Sequence, residues 1–156
     1  MVLSLLQGNL ITKKIHFECS LDPEMLVYAD RTHLSLVMQN LVSNAIKFTQ
    51  EKGKIEVHAS QQDDMIIICV ADNGVGIASQ RLNDLFQIET SFSTVGTANE
   101  KGTGLGLILC HELVRENGGQ IWAESTLSEG SRFYFTLPSS IRALSVLDED
   151  SSLKQN

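Results

Sequence analysis

Basic residues are scarce in this chain: 12 lysines and arginines stand against 19 aspartates and glutamates, a net charge of -7 over 156 residues. A nucleic-acid surface needs the opposite balance, which argues against that class of partner. A single nucleotide is not, because backbone amides and a divalent cation can hold it. Cysteine is scarcer still. Cys19, Cys69 and Cys110 are far apart, odd in number and form no CxxC pair, which implies reduced thiols in a cytoplasmic compartment, with Cys69 and Cys110 as core residues of apolar runs. No apolar run approaches the length of a bilayer span. The opening MVLSLLQGNLITKK lacks the basic n-region and the apolar length of a secretion signal. The chain is therefore expected to touch no membrane; any anchor, such as one in an inner membrane, would belong to a larger parent protein. His16, His33 and His58 fall in no metal-binding or catalytic pattern.

What remains is ordinary for one globular domain, with 42% hydrophobic and 20% charged residues. The first residues, Met1 to Ile11, carry leucines without a clear period and read either as the tail of a helix or as a lead-in strand. Ile15 to Cys19 alternates as a strand, Asp22–Pro23 turns, and Met25 to Ala29 reads as a short second strand. Asp30 is an N-cap for a helix from about Arg31 to Thr49. Its apolar face is Leu34, Val37, Met38, Leu41, Val42, Ala45 and Ile46. Asn40, Asn44 and Lys47 fall on the flank of that face at i, i+4 and i+7. Two carboxamides and an ammonium in one stripe suit a metal-bound phosphate, and they equally suit a solvated flank.

Lys54 to Ser60 alternates as a strand, Gln61 to Asp64 reads as a turn, and MIIICVA (65–71) reads as a central strand buried on both faces. It runs into Asp72–Asn73–Gly74–Val75–Gly76–Ile77. A carboxylate there is either the cap of a strand-to-loop turn or the acceptor for the exocyclic amine of a base. Ser79 to Phe86 reads as a short helix. Gln87 to Lys101 lacks periodicity and is long enough for a functional loop, a lid over a ligand. It leads into EKGTGLGL (100–107), where Gly102, Gly104 and Gly106 alternate at a helix entry. Such a turn either ends a strand or cradles an anion on unpaired N–H groups. The helix from Gly104 stops at Asn117–Gly118–Gly119. Gln120 to Ser125 and Ser131 to Leu137 form an antiparallel pair across the turn from Leu127 to Gly130, and Pro138 closes the ordered part. Residues 1–12 are thus a lead-in, 13–138 the domain and 139–156 a polar tail or linker.

NLVSNAIKF, DNGVGI, LFQIETSFST and KGTGLGL, in that order, resemble the N box, first glycine box, F box and second glycine box of sensor histidine kinase catalytic domains, within the GHKL group of ATPases and kinases. The closing LSEGSRFYFTLP is similar to the family's terminal strand pair. The resemblance spans roughly Lys13 to Pro138. It implies a two-layer α/β sandwich of the Bergerat type, with a mixed sheet of about five strands and three helices on one face.

It also implies ATP and Mg²⁺ as ligands. Asn44 then matches the Mg²⁺ ligand, Asn40 a second support for metal or phosphate, and Lys47 a phosphate contact. Asp72 matches the reader of the adenine amino group, Thr103 its helper through a water, and Gly74, Gly76 and Ile77 the pocket floor. Phe48 and Phe86 would line the site, and Lys101, Gly102, Gly104, Leu105 and Gly106 would surround the phosphates.

Members of the group that hydrolyse ATP, such as DNA gyrase and the Hsp90 chaperone, carry a glutamate where this chain has Asn40. A carboxamide accepts no proton at neutral pH, and a neutral imidazole acceptor needs no base. The implied activity is therefore transfer of the γ-phosphoryl group to a histidine on a separate dimerisation domain, with a response regulator downstream. The alternative is a nucleotide-dependent binding module without transfer. The sequence His111–Glu112–Leu113–Val114–Arg115 mimics the family's acceptor motif, but no Thr-Pro follows, and it reads as an ordinary surface histidine. Between Phe86 and Gly102, Lys101 is the only cation.

Overall fold

A computed structural model describes residues 2–87, 96–98 and 104–140. The chain runs α1 (Val2–Thr12), β1 (His16–Ser20), α2 (Arg31–Phe48), β2 (Lys54–Gln62), β3 (Met65–Asp72), α3 (Ser79–Leu82), α4 (Gly106–Glu116), β4 (Ile121–Thr126) and β5 (Gly130–Pro138). The strands form one mixed sheet in the order β1-β2-β3-β5-β4, parallel at β1–β2 and antiparallel elsewhere. This is the expected five-stranded α/β architecture, and the choice left open for the first residues falls to helix.

Register explains which face is dry. Val57 pairs with Val70, Val70 with Phe133, Ile68 with Phe135 and Ile66 with Leu137, so one side of the sheet presents a continuous apolar layer. Val37, Leu41, Val42, Ala45 and Ile46 of α2, with Leu113 and Val114 of α4, bury against it. Leu34 and Met38 pack at its margin. On the opposite side, Trp122 stacks on Tyr134 with ring centroids 5.3 Å apart. Cys69 is buried there, while Ile67 and Ala71 stay partly exposed. The apolar run in β3 is thus buried fully on one face only; its uninterrupted hydrophobicity reflects the central strand position and partial cover by aromatic neighbours.

Several boundaries differ from expectation. Residues 25–29 are no strand: Val27 makes a single bridge to Ser139, with Tyr28 N–H donating to Pro138 O and Ser140 N–H to Leu26 O. Their alternation reflects contact of Met25, Val27 and Ala29 with the core. Strand β2 continues to Gln62, and the turn is confined to Asp63 and Asp64, with Asp63 at φ 53°. Helix α3 stops at Leu82, and turns carry the chain to Phe86.

Helix ends follow local chemistry. The Asp30 carboxylate accepts the His33 N–H at 2.9 Å and caps α2. Helix α4 begins at Gly106 and not at Gly104, because Gly104 sits at φ 73°, outside the right-handed helix. It ends in a Schellman motif: Gly119 N–H donates to Val114 O and Gly118 N–H to Arg115 O, both at 3.0 Å. Cys110 is fully buried in this helix and Cys19 is exposed on β1. Among the described residues, no helix is long and apolar enough to cross a membrane. The expected tail falls, from residue 141 on, outside the described residues.

Candidate functional site

The site residues hang on the ends of three elements. Helix α2 carries Asn40, Asn44, Lys47 and Phe48, all partly buried on the flank of its core face. Asn40 Nδ2 donates to Leu36 O at 2.9 Å, one turn back, which fixes the carboxamide and leaves its Oδ1 turned to α4. There it meets Gly106: a Cβ on that glycine would stand 2.6 Å from the oxygen. The N-box helix and the second glycine segment therefore touch. Asn44 makes no side-chain hydrogen bond among the described residues. The Lys47 ammonium lies 4.9 Å from the centroid of the Phe48 ring.

Strand β3 delivers Asp72. Its Oδ1 accepts the Gly74 N–H at 2.8 Å. Burial pushes the carboxyl pKa up to about 6, against the pull of the Gly74 and Ser131 amides. A carboxylate kept mostly desolvated with few partners is poised to accept a further hydrogen bond. The segment after it is tied to α2, where Val75 N–H donates to Phe48 O at 3.1 Å. The room left by the missing side chains of Gly74 and Gly76 is taken by the protein itself. A Cβ on Gly74 would lie 2.2 Å from Phe48 O, and one on Gly76, at φ 71°, would lie 2.1 Å from Thr126 O. These glycines allow backbone to approach backbone.

The β4–β5 hairpin supports the same segment, which sequence reasoning missed. Ile77 N–H donates to Ser125 Oγ at 2.7 Å, and Ser128 N–H donates to Val75 O at 2.9 Å. Ser125 also bonds Gly130 O and Ser131 Oγ. Only the hydroxyl-rich ends of the two strands hinted at this in the sequence. Ile77 and Phe86 pack at the core margin, and the Phe86 ring lies 6.2 Å from that of His111. His111 is half-exposed within α4, beside Glu112.

Gly104 and Leu105 lead into α4, with Leu105 exposed at its N-cap position. Lys101, Gly102 and Thr103 lie outside the described residues, as does most of the F-box segment and of the loop read as a lid. No group of three His, Cys, Asp or Glu side chains that could hold a metal is found among the described residues. The donor set near α2 is carboxamide, which suits a hard cation that keeps most of its shell from phosphate and water.

The profile of the family described as Histidine kinase-, DNA gyrase B-, and HSP90-like ATPase matches residues 29–141. The phytochrome-like protein Cph1 of Synechocystis is 43% identical over 72% of the chain, and the sensor histidine kinase WalK of Bacillus subtilis is 32% identical over 75% of it. The chain spans only 15% and 20% of the length of these two relatives. Among solved structures, the catalytic domain of histidine kinase ThkA superposes with a TM-score of 0.74 at 34% identity, covering 88% of this chain and 87% of that one. ThkA in complex with the response regulator protein TrrA gives a TM-score of 0.72 at 30% identity, covering 89% of this chain and 38% of that one. With its fold, motif order and relatives in agreement, the chain belongs to the histidine kinase-, DNA gyrase B- and HSP90-like ATPase family, as a catalytic domain of the sensor histidine kinase kind.

Proposed function

We propose that the chain binds ATP with Mg²⁺ and donates the γ-phosphoryl group to a histidine on a separate helical dimerisation domain. The observation that carries this reading is the juncture of the Asp72 segment with the end of α2 through the Val75–Phe48 hydrogen bond. It sets a largely desolvated carboxylate near Phe48, at the end of the helix that carries Asn44 and Lys47. Asp72 accepts the adenine amine, an interaction worth about 1.5–3 kcal/mol for a charged acceptor. Phe48, Phe86 and Ile77 line the base, and Gly74 and Gly76 form its floor through the close backbone contacts they allow. Asn44, supported by Asn40, holds Mg²⁺, whose charge offsets that of the phosphates. Lys47 takes a phosphate oxygen, Thr103 assists Asp72 through a water, and Gly102, Gly104, Leu105 and Gly106 surround the phosphates with Lys101 as a further cation.

In the transfer, the imidazole lone pair forms the N–P bond while the bond from the γ-phosphorus to its bridging oxygen breaks and ADP leaves with that electron pair. The attacking nitrogen carries no proton, so no base is required, in keeping with a carboxamide at Asn40. Residues 13–138 are the working unit in this reading, with 1–12 leading in from a helical segment and 139–156 a linker. The ThkA complex with TrrA supports a response regulator as the final acceptor. Its setting is the cytoplasm, where ATP is supplied and the three thiols stay reduced.

Radiolabel transfer from γ-labelled ATP tests the proposal, with the chain alone and with an added dimerisation domain. Acid-labile label on the added domain only is expected. ATP binding with no label on any acceptor would favour a nucleotide-dependent binding module, and steady phosphate release by the chain alone would make it a hydrolase. Asn44→Ala is expected to remove the Mg²⁺ dependence of ATP binding; an unchanged metal response would move the cation site elsewhere.

A further inference from the structure

Among the described residues, one buried cation has no role in the nucleotide reading. Lys13 follows the last residue of α1, and only 9% of its surface is exposed. Its three N–H donors are shared among Ile46 O at 2.8 Å, Lys47 O at 3.1 Å, Thr49 O at 3.3 Å and the Thr97 hydroxyl at 2.7 Å. Those carbonyls belong to the end of α2, where a helix leaves its last acceptors unpaired and its dipole negative. Burying an ammonium is tolerated only with such partners. Thr97 reinforces the same point: its N–H donates to Lys47 O at 3.0 Å, and its hydroxyl lies 2.9 Å from Thr49 O.

Three segments distant in sequence thus converge on one turn of α2. Lys13 brings the end of α1, Val75 brings the Asp72 segment, and Thr97 brings residues 96–98. That turn carries Lys47 and Phe48. We infer that Lys13 is a positioning residue for the phosphate side of the site, coupling the placement of α1 to ATP affinity through Lys47 and Thr97. The inference rests on the nucleotide reading above. Loss of the ammonium frees the Lys47 carbonyl and Thr97, whereas the base side keeps the Val75–Phe48 bond and the Asp72 carboxylate its own bonds to Gly74 and Ser131.

The test compares binding of ATP and of adenosine to the full chain, by calorimetry and NMR titration, in the wild type, Lys13→Met, Thr97→Val and the double variant. Methionine keeps the apolar stem and removes the donor. Lys13→Met is expected to weaken ATP binding about tenfold and to leave adenosine binding within about twofold. Thr97→Val should weaken ATP about threefold, and the double variant should be no weaker than Lys13→Met, because both break one network. Unchanged ATP affinity in the variants overturns the inference. So does a parallel loss for ATP and adenosine, the mark of general loosening. Should Lys13→Met not fold, the ATP-to-adenosine comparison in Thr97→Val decides. A wild type that binds no ATP overturns the nucleotide reading and the inference with it; a wild type that binds, with unchanged variants, overturns the inference alone.

Discussion

Gly106 and Asn40 meet face to face across the site, with no room between the glycine α-carbon and the carboxamide oxygen for a side chain. The oxygen is the movable end of a side chain, so Gly106→Ala is predicted to spare the fold. Alanine also gains up to about 1 kcal/mol over glycine in a helix. The added methyl must push the Asn40 amide off its bond to Leu36 O. Unfolding free energy should change by less than about 1 kcal/mol, while ATP affinity drops about tenfold. Undisturbed ATP affinity would refute this use of the contact.

Gly74 presents the opposite case. Its missing Cβ is blocked by the Phe48 carbonyl, which is backbone and itself engaged by Val75 N–H. Neither group can rotate away. Gly74→Ala should cost about 3 kcal/mol in urea unfolding, at the upper end for overpacking. A loss below about 1 kcal/mol would show that the loop gives way.

Asp72 makes the stability of the ligand-free protein fall as pH rises. Its folded pKa, about 6, lies above the unfolded value, so the folded state holds the proton longer. The carboxyl's contribution is intact below about pH 4 and is lost as pH climbs through about 6. Asp72→Asn, which cannot ionise, should therefore be more stable than wild type at pH 8 by on the order of 2 kcal/mol, with little difference at pH 4. The same variant should lose ATP binding, and wild-type ATP affinity should rise across pH 6. Denaturant curves at both pH values and a binding titration check the pair; a variant less stable at pH 8 contradicts it.

Lys14 ends α1 in the left-handed region, at φ 53°, with Lys14 N–H donating to Ile11 O and Ile15 N–H to Leu10 O. Glycine fits that position without steric cost. The exposed ion pair from Lys14 to Glu51 at 3.3 Å adds little. Lys14→Gly is predicted to stabilise the protein by about 0.5–1 kcal/mol, read as a higher melting temperature. A lower melting temperature would mean that the ion pair matters more than the backbone.

Where a signal lies in side chains along one element, the sequence is easy to read. The Asp30 cap, the apolar face of α2 and the alternation of β2 predict their elements to within a residue or two at most ends. The end of β2 is missed because Ser60, Gln61 and Gln62 are polar, yet the ladder to β3 continues through backbone bonds. Residues 25–29 have a strand's alternation but only one bridge, to Ser139. In the proposed site, Asn40, Asn44, Lys47 and Asp72 are legible as side chains on a helix flank and a strand end. Their supports are not. Phe48 O, Thr126 O and three of the four Lys13 acceptors are carbonyls, which every residue has, and only tertiary register decides which of them meet.

The placement of the three cysteines sets the molecule's chemical addressability. Burial pushes the Cys69 thiol up to about 11 and the Cys110 thiol up to about 12, so neither ionises near neutrality. Cys19 stands exposed on the outer strand of the sheet. A thiol-directed dye offered to the native protein has one place to go, and the natural sequence already carries a single reporter site that leaves the α2 and Asp72 machinery untouched.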